Sequence, residues 1–174
     1  MIEIELERTY LAKNIPPGLA DSPFRQIVDL YLPAKDEHPK LRLRKSGDTY
    51  AITKKAPLHG DDSSEQAEHT IPLTEEEYAA FAAMACKKVE KKRYYYTYGV
   101  IALEVDIFEG GLTGLVLIDV EFKSTEEKKK FSAPAFCLAE VTQEAFVAGG
   151  MLAGKAYEDV EEDLARFGYQ KLFF

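Results

Sequence analysis

The sequence predicts an α+β fold built around an antiparallel β-sheet, and three patterns support this prediction. Several segments alternate charged and apolar residues, which is typical of strands with one polar and one apolar face. Turns that contain glycine or proline separate these segments from one another. Two further segments, starting at Thr74 and Ser124, carry a Ser/Thr-x-x-Glu pattern that predicts the beginning of a helix.

The first predicted strand covers residues 2–11, and its two faces differ in character. Alternation places Ile2, Ile4, Leu6, Arg8 and Tyr10 on one face. The other face carries a row of carboxylates, Glu3, Glu5 and Glu7, followed by Thr9. Like charges about 7 Å apart along a strand repel each other. The row therefore requires solvent, facing cations or a bound metal ion.

The rest of the chain supplies further strands and turns. Pro16, Pro17 and Gly18 predict a loop over residues 14–22. Predicted strands follow at residues 26–32, 41–45, 49–55, 66–73, 87–99, 100–109 and 115–123. Turns are predicted at Gly47-Asp48, at Gly99 and at residues 110–114.

Helices are predicted in four places, of which the first covers about residues 75–86. Helical periodicity predicts that this helix buries Tyr78, Phe81, Ala82 and Ala85 on one stripe. A short helix is expected after Ser124, and another in the small-residue segment around Gly149 and Gly150. The last is predicted at residues 157–167, with Val160, Leu164 and Phe167 inward and Gly168 at its end, before a short strand at 169–174.

Composition and charge limit the class of protein. The net charge of −8 argues against a nucleic acid polymer as a partner, because such a surface needs excess cations. The sequence shows no signal segment and no apolar run near the roughly 20 residues of a membrane helix. We therefore expect one domain over residues 1–174, located in the cytoplasm and without a membrane partner. Cys86 and Cys137 are isolated in the sequence and are expected to be buried thiols.

Some residues with chemical potential are given no role. The three histidines, His38, His59 and His69, lie in or beside predicted loops and are expected to be solvated. The run Lys128-Lys129-Lys130 is expected on the solvated face of a helix. The sequence contains neither a glycine-rich phosphate loop opening a helix nor a nucleophile elbow.

The charged face of each strand carries mainly one sign of charge. Acidic pairs or rows occur at Glu3, Glu5, Glu7, Glu104, Asp106, Asp119 and Glu121, and basic residues at Arg42, Arg44, Lys55, Lys91 and Arg93. Two arrangements fit this pattern: a barrel with a charged lumen, or an open sheet whose charged face lies in water. Rows of a single sign favour the barrel, because an ordinary solvent face mixes both signs with neutral polar residues.

Basic rows that face acidic rows suit the binding of a polyphosphate. Arginine binds phosphate oxygens through two parallel hydrogen bonds, and lysine adds a point charge. Carboxylates do not bind the phosphate anion directly, but they hold hard divalent cations such as Mg²⁺, which bridge to phosphate. A site with both kinds of row can therefore orient a phosphate chain for attack.

These segments resemble the CYTH, or triphosphate tunnel metalloenzyme, superfamily. The family's Glu-x-Glu-x-Lys signature is similar to Glu5-Leu6-Glu7-Arg8-Thr9, in which Thr9 replaces the lysine. Similar family elements follow in order at Leu41–Arg44, Tyr50–Lys55, Lys91–Arg93, Asp119–Glu121 and Ala139–Thr142. The family's second Glu-x-Glu aligns with Gln66-Ala67-Glu68, which keeps only Glu68. The resemblance covers about residues 2–142.

The resemblance implies an eight-stranded antiparallel β-barrel, or tunnel, with flanking helices. It implies that Mg²⁺ or Mn²⁺ is held by Glu5, Glu7, Glu68, Asp119 and Glu121. It implies that phosphate is bound by Arg42, Arg44, Lys55, Lys91 and Arg93. The residues expected to be catalytic are Glu5, Glu7, Arg42, Arg44, Lys55 and Arg93.

Family members act on triphosphate groups, so the first hypothesis is metal-dependent hydrolysis of inorganic triphosphate or a related small molecule. An adenylate cyclase of class IV type is an alternative, for which the tyrosines of residues 94–98 could stack on adenine. A non-catalytic module that binds polyphosphate or nucleotide is a second alternative, favoured if Thr9 and Gln66 have removed turnover. The sequence does not decide whether the chain forms a homodimer.

Overall fold

The computed structural model describes residues 2–60, 62–84 and 86–174, with the side chains of residues 2–4 outside the description. Its strands are β1 (Ile2–Ala12), β2 (Phe24–Leu32), β3 (Leu41–Ser46), β4 (Thr49–Pro57), β5 (Glu65–Leu73), β6 (Lys87–Tyr98), β7 (Ile101–Phe108), β8 (Val116–Phe122) and β9 (Cys137–Glu140). Its helices are α1 (Glu75–Ala82), α2 (Thr125–Lys130), α3 (Gly149–Leu152) and α4 (Glu161–Ala165).

Eight of these strands close into an antiparallel barrel, which confirms the predicted fold. The strand order is β5-β4-β3-β2-β6-β7-β8-β1, and β1 pairs with β5 to complete the ring. One edge of β1 pairs with β5 through residues 2–6 and with β9 through residues 10–12. Its other edge pairs with β8. The alternation in the sequence did not reveal β9, because four residues are too few to show a period.

The apolar faces of the strands lie outside the barrel and the charged faces line its lumen. On the outer side of β1, β6, β7 and β8, the packed residues include Tyr10, Tyr94, Leu103, Val105, Ile118 and Val120, covered by Leu19 and Phe136. The charged residues that alternate with these on the same strands line the lumen: Glu5, Glu7, Lys91, Arg93, Glu104, Asp106, Asp119 and Glu121. The open-sheet alternative is therefore wrong, because the charged face is enclosed.

The C-terminal part of the chain closes one end of the barrel. Inward-facing apolar residues of the strands at this end include Leu11, Tyr31, Val89, Phe108 and Leu117. They share a core with Val147 and Leu152 of the segment after β9. Two glycines of α3 allow this segment to pack closely against β2 and the connection that follows it. A Cβ atom on Gly149 would overlap the Tyr31 hydroxyl, and one on Gly150 would overlap the carbonyl oxygen of Pro39.

The helix α1 is shorter and more exposed than predicted. The capping box is present, since Thr74 Oγ1 accepts a hydrogen bond from the Glu77 amide at 3.2 Å. The helix ends at Ala82, however, and none of its residues is buried, with Phe81 39% exposed. The expected stripe is therefore wrong for Tyr78, Phe81 and Ala82, while Ala85 lies outside the described residues.

The C-terminal elements also differ from the prediction. Residues 157–167 form a 3₁₀ turn (Tyr157–Asp159) followed by α4, although Val160 and Leu164 are buried as expected. Gly168 adopts the predicted left-handed conformation, with φ 71°. Residues 169–174 form no strand. Instead, the Tyr169 hydroxyl accepts a hydrogen bond from the Val116 amide and donates one to a carbonyl oxygen, both at 2.8 Å.

Three smaller expectations are corrected or qualified by the side-chain contacts. Lys128 is not solvated, because its Nζ donates to Ser64 Oγ at 2.6 Å and lies 3.7 Å from Glu65. Cys86 and Cys137 are free thiols, as expected, but both are only half-buried. Burial raises the pKa of the Cys137 thiol to about 12. Within the described part of the chain, no helix is long and apolar enough to cross a membrane.

Candidate functional site

The lumen of the barrel is a cavity of about 640 Å³ lined by inward-facing residues of all eight strands. The structure brings together all ten residues that the sequence predicts for the site: Glu5, Glu7, Arg42, Arg44, Lys55, Glu68, Lys91, Arg93, Asp119 and Glu121. Four further acids line the same cavity: Asp29, Glu104 and Asp106 on the strands, and Glu144 in the segment after β9. The roles of the ten predicted residues remain predictions, but their common location follows from strand alternation and barrel closure.

Strand register determines which of these side chains meet. In the β1–β8 ladder, Glu7 lies opposite Glu121 and Thr9 opposite Asp119. Directly opposed residues have Cβ atoms about 5 Å apart, so these pairs interact. The acidic residues of β1 and β8 therefore form one continuous wall. Across the barrel, β3 contributes Arg42 and Arg44 and lies four strands from β8.

Asp106 is the centre of the most buried charge network. Arg93 Nε and Nη2 donate to its two carboxylate oxygens at 2.7 Å each, and Lys91 also donates to it. The carboxylate is 1% exposed. Burial raises its pKa, but the charges of Arg93 and Lys91 outweigh this and hold the pKa well below its usual range. Arg93 also pairs with Glu104 and lies 3.2 Å from Asp119.

Asp29 forms a second buried pair, which the sequence analysis missed. Arg44 Nε and Nη2 donate to the two oxygens of Asp29 at 2.7 Å each, and Asp29 is 1% exposed. Burial raises the pKa of Asp29, yet the charge and hydrogen bonds of Arg44 lower it to about 2. The only signal in the sequence was a single acid that alternates with Ile27 and Tyr31. The pair fixes the Arg44 guanidinium through Nε and Nη2, and Nη1 has no hydrogen-bond partner among the described residues.

Lys55 connects two of the predicted metal ligands. It forms an ion pair with Glu5, and its Nζ lies 3.3 Å from Glu68 Oε2. Arg42 is bound more weakly, since its Nη2 lies 4.0 Å from Glu68. The Nε of Arg42 is buried, and it has no hydrogen-bond partner among the described residues. Arg42 therefore keeps donors available for a ligand.

Glu7 and Glu121 are the two predicted ligands that remain free of cations. Neither has a lysine or arginine nitrogen within 4.0 Å in the part of the chain that the structure describes. Burial raises the pKa of Glu7 to about 7, with further increases from Asp119 and Glu5 and an opposing decrease from Lys55. A buried carboxylate beside other acids favours either a proton or a bound cation.

Thr9 occupies the place where the family signature has lysine. Its Oγ1 donates to Asp119 Oδ1 at 2.7 Å, and its amide donates to Thr142 Oγ1 at 3.1 Å. The hydroxyl thus provides a hydrogen bond to Asp119 but no charge. Arg93, at 3.2 Å, supplies the positive charge next to Asp119.

The carboxylates of the acidic wall are not grouped around a single metal position among the described residues. Among the residues that the structure describes, no three His, Cys, Asp or Glu side chains are placed to hold a metal ion together. The reason is that Lys55 holds Glu5 and Glu68, while Thr9 and Arg93 hold Asp119. The opposed pair Glu7 and Glu121 is therefore the part of the acidic wall able to accept a cation without breaking an ion pair.

Aromatic side chains also reach the cavity, among them Tyr31, His38, Tyr95 and Phe108. His38 lines it, contrary to the expectation of a solvated loop residue, whereas His59 and His69 are exposed. Of the tyrosines in residues 94–98, Tyr95 lines the cavity. Tyr94 is buried in the outer core, and the Tyr96 hydroxyl donates to the carbonyl oxygen of Pro17 at 2.9 Å.

Comparisons with known proteins agree with this architecture. No protein-family model matches the chain. An inorganic triphosphatase from Nitrosomonas europaea is 34% identical over 142 residues, which cover 80% of this chain and 90% of that protein. A crystal structure of an inorganic triphosphatase has a TM-score of 0.63 at 28% identity, covering 87% of this chain and 95% of the other.

A more distant structure extends the likeness of fold. A candidate adenylate cyclase from Bacillus halodurans has a TM-score of 0.55 at 17% identity, covering 99% of this chain and 94% of the other. At this identity the likeness concerns the fold alone. The closed eight-stranded barrel, the motifs in family order and the identity to the Nitrosomonas protein show that the chain belongs to the CYTH, or triphosphate tunnel metalloenzyme, superfamily.

Proposed function

We propose that this protein hydrolyses inorganic triphosphate, or a related triphosphate compound, with a divalent cation. The observation that carries the proposal is a closed lumen with a basic wall on β3 and an acidic wall on β1 and β8. The activity named for the Nitrosomonas relative supports the same reaction. A triphosphate is an anion of high charge that needs both walls, one for its oxygens and one for its counter-ions.

The basic wall binds and orients the phosphate chain. Arg42 has no close ion pair among the described residues, since its Nη2 lies 4.0 Å from Glu68, and Arg44 is held in position by Asp29. Arginine groups fixed before the substrate arrives stabilise the charge that develops on phosphate oxygens during transfer, since they need little reorganisation. Lys55, Lys91 and Arg93 add positive charge around the chain.

The acidic wall fits Mg²⁺ or Mn²⁺. Glu7 and Glu121 are opposed carboxylates that have no cation partner in the described part of the chain, and Mg²⁺ is commonly held by one or two carboxylates together with substrate phosphates. Glu5 and Glu68 become available as further ligands when Lys55 turns towards phosphate, and Asp119 lies next to them on the same wall. When bound, the cation neutralises phosphate charge and increases the nucleophilicity of water.

A substrate panel tests the proposed reaction. The protein is incubated with triphosphate, ATP or thiamine triphosphate, with Mg²⁺ or Mn²⁺, and the products are identified. Release of orthophosphate from triphosphate supports the hydrolase. Formation of a cyclic nucleotide and diphosphate from ATP would instead support the cyclase, for which Tyr95 is the cavity-lining member of the tyrosines in residues 94–98. Binding of triphosphate without any release would leave only the binding module.

The variant Arg42→Ala is expected to reduce kcat/KM for triphosphate roughly 100-fold, because one preorganised donor to the phosphate is lost. The fold should remain intact, since the nearest carboxylate lies 4.0 Å away and no strong ion pair is broken. Steady-state kinetics and circular dichroism measure both results. Lys54→Ala, on the exposed outer face of β4, is the matched control. Unchanged kinetics for Arg42→Ala would contradict the basic-wall assignment.

The affinity for Mg²⁺ is expected to decrease as the pH falls from about 8 to about 6. Burial holds the pKa of Glu7 near 7, so protons compete with the cation for this carboxylate over that range. For one such group, the apparent affinity falls about tenfold per pH unit below the pKa. Calorimetric titration with Mg²⁺, without substrate, measures this affinity at each pH. A pH-independent affinity would exclude Glu7 as a ligand.

A further inference from the structure

Lys40 and His38 lie at the rim of the cavity, where the connection between β2 and β3 meets α3. Lys40 precedes Arg42 and Arg44 at the spacing of two residues that gives a common side of the chain. Its Nζ lies 3.1 Å from His38 Nδ1 and 3.2 Å from Nε2. Gly150 makes room for the imidazole, because a Cβ there would lie 3.0 Å from His38 Cδ2.

Lys40 differs from the lysines deeper in the lumen in its lack of a counter-ion. Lys55 pairs with Glu5 and Glu68, and Lys91 pairs with Asp106. Lys40 has no carboxylate within 4.0 Å among the described residues, and its polar neighbour is the His38 ring. A neutral imidazole accepts one ammonium hydrogen and leaves two for a ligand. Together with Arg42, Lys40 forms the least compensated positive region of the lining.

We propose that Lys40, held by His38, is a binding subsite for the phosphate group at one end of the substrate, next to Arg42. The proposal rests on the proposed function and deepens it by giving the substrate a direction. The acidic wall lies on β1 and β8, across the barrel from β3. The phosphate chain thus runs from the cation-binding carboxylates to the Lys40 rim, with the phosphate least covered by divalent cations at Lys40.

The test is Lys40→Met, which keeps the aliphatic stem and removes the charge. KM for triphosphate is expected to rise roughly tenfold, the effect of one charge-assisted hydrogen bond, while kcat changes less than about twofold. The Kd for orthophosphate, measured calorimetrically with Mg²⁺ present, is expected to rise by a similar factor. Lys40→Arg should restore most of both. Lys45→Met, on the exposed outer face of β3, should match wild type.

Failure of the subsite and failure of the reaction give different results. If wild type turns over triphosphate but Lys40→Met keeps its KM and its Kd for orthophosphate, the subsite is wrong and the hydrolase stands. A fall in kcat with unchanged KM and Kd also overturns the subsite. If wild type shows no turnover, the Kd values for orthophosphate and triphosphate alone decide whether Lys40 is a phosphate subsite. The absence of phosphate binding by wild type would then reject the subsite. Lys40 is exposed, so the variant should fold.

Discussion

Replacing Glu7 with glutamine is expected to reduce metal-dependent triphosphate hydrolysis by roughly a thousandfold, because an essential charged group of the acidic wall is lost. Glutamine keeps the shape of the side chain but cannot provide the negative charge that holds a divalent cation. Glu121 stays opposite, and Glu5 and Glu68 remain paired with Lys55. Among the described residues, Glu121 is then the one wall carboxylate without a cation partner, and a single carboxylate holds a divalent cation more weakly than the opposed pair.

The same change is expected to stabilise the protein above neutral pH. The pKa of Glu7 is about 7 in the folded state, above the ordinary value of 4.5, because burial opposes ionisation. A raised pKa favours the folded protein at low pH, and this advantage disappears as the pH rises through 7. At about pH 8 the ionised Glu7 then lowers the free energy of unfolding by up to roughly 3 kcal/mol. Glutamine removes this cost.

Urea unfolding at about pH 5 and pH 8, combined with steady-state kinetics, measures both effects. Wild type should lose stability between the two pH values relative to Glu7→Gln. Glu126→Gln, on the exposed surface of α2, serves as the control and should change neither activity nor its pH dependence. A fully active Glu7→Gln enzyme would remove Glu7 from the cation site. If Glu7→Gln were much less stable than wild type at about pH 8, Glu7 would have a cationic partner in the folded protein.

The sequence predicted the barrel well where strands show a long and strict alternation. In β1 and β8, residues on one face are nearly all apolar and those on the other are polar, so period two was unambiguous. α1 was harder, because Tyr78 and Phe81 have helical spacing without being buried. Periodicity reports which residues share a face, but not whether tertiary packing covers that face.

The site was predictable as a set of lumen residues but not as a network of pairs. Alternation placed Arg44 and Arg93 inside, yet their partners depend on strand register, which is a tertiary property. Asp29 was missed because its neighbours on the same face, Ile27 and Tyr31, are apolar and form no charged row. Lys40 was missed because it precedes the strand, where alternation is not yet visible.

The variant Asp106→Asn is expected to destabilise the folded protein by about 3–5 kcal/mol, because it leaves buried cations without their counter-ion. Asp106 is 1% exposed and accepts hydrogen bonds from both Arg93 and Lys91. Asparagine keeps the volume, but its amide group places donors against donors. Glu104 and Asp119 can compensate Arg93 in part, whereas Lys91 pairs with Asp106 alone among the described residues.

The dependence on pH separates loss of the charge pair from loss of packing. The folded-state pKa of Asp106 lies below its ordinary value of 3.8, so its contribution is present above that value and lost as the pH falls below it. The gap in unfolding free energy between wild type and Asp106→Asn should therefore narrow under acid conditions. Asp163→Asn, in an exposed pair with Arg166, is the control and should cost less than about 1 kcal/mol. A gap below about 1 kcal/mol for Asp106→Asn, or one that does not narrow in acid, would contradict a buried carboxylate that holds two cations in place.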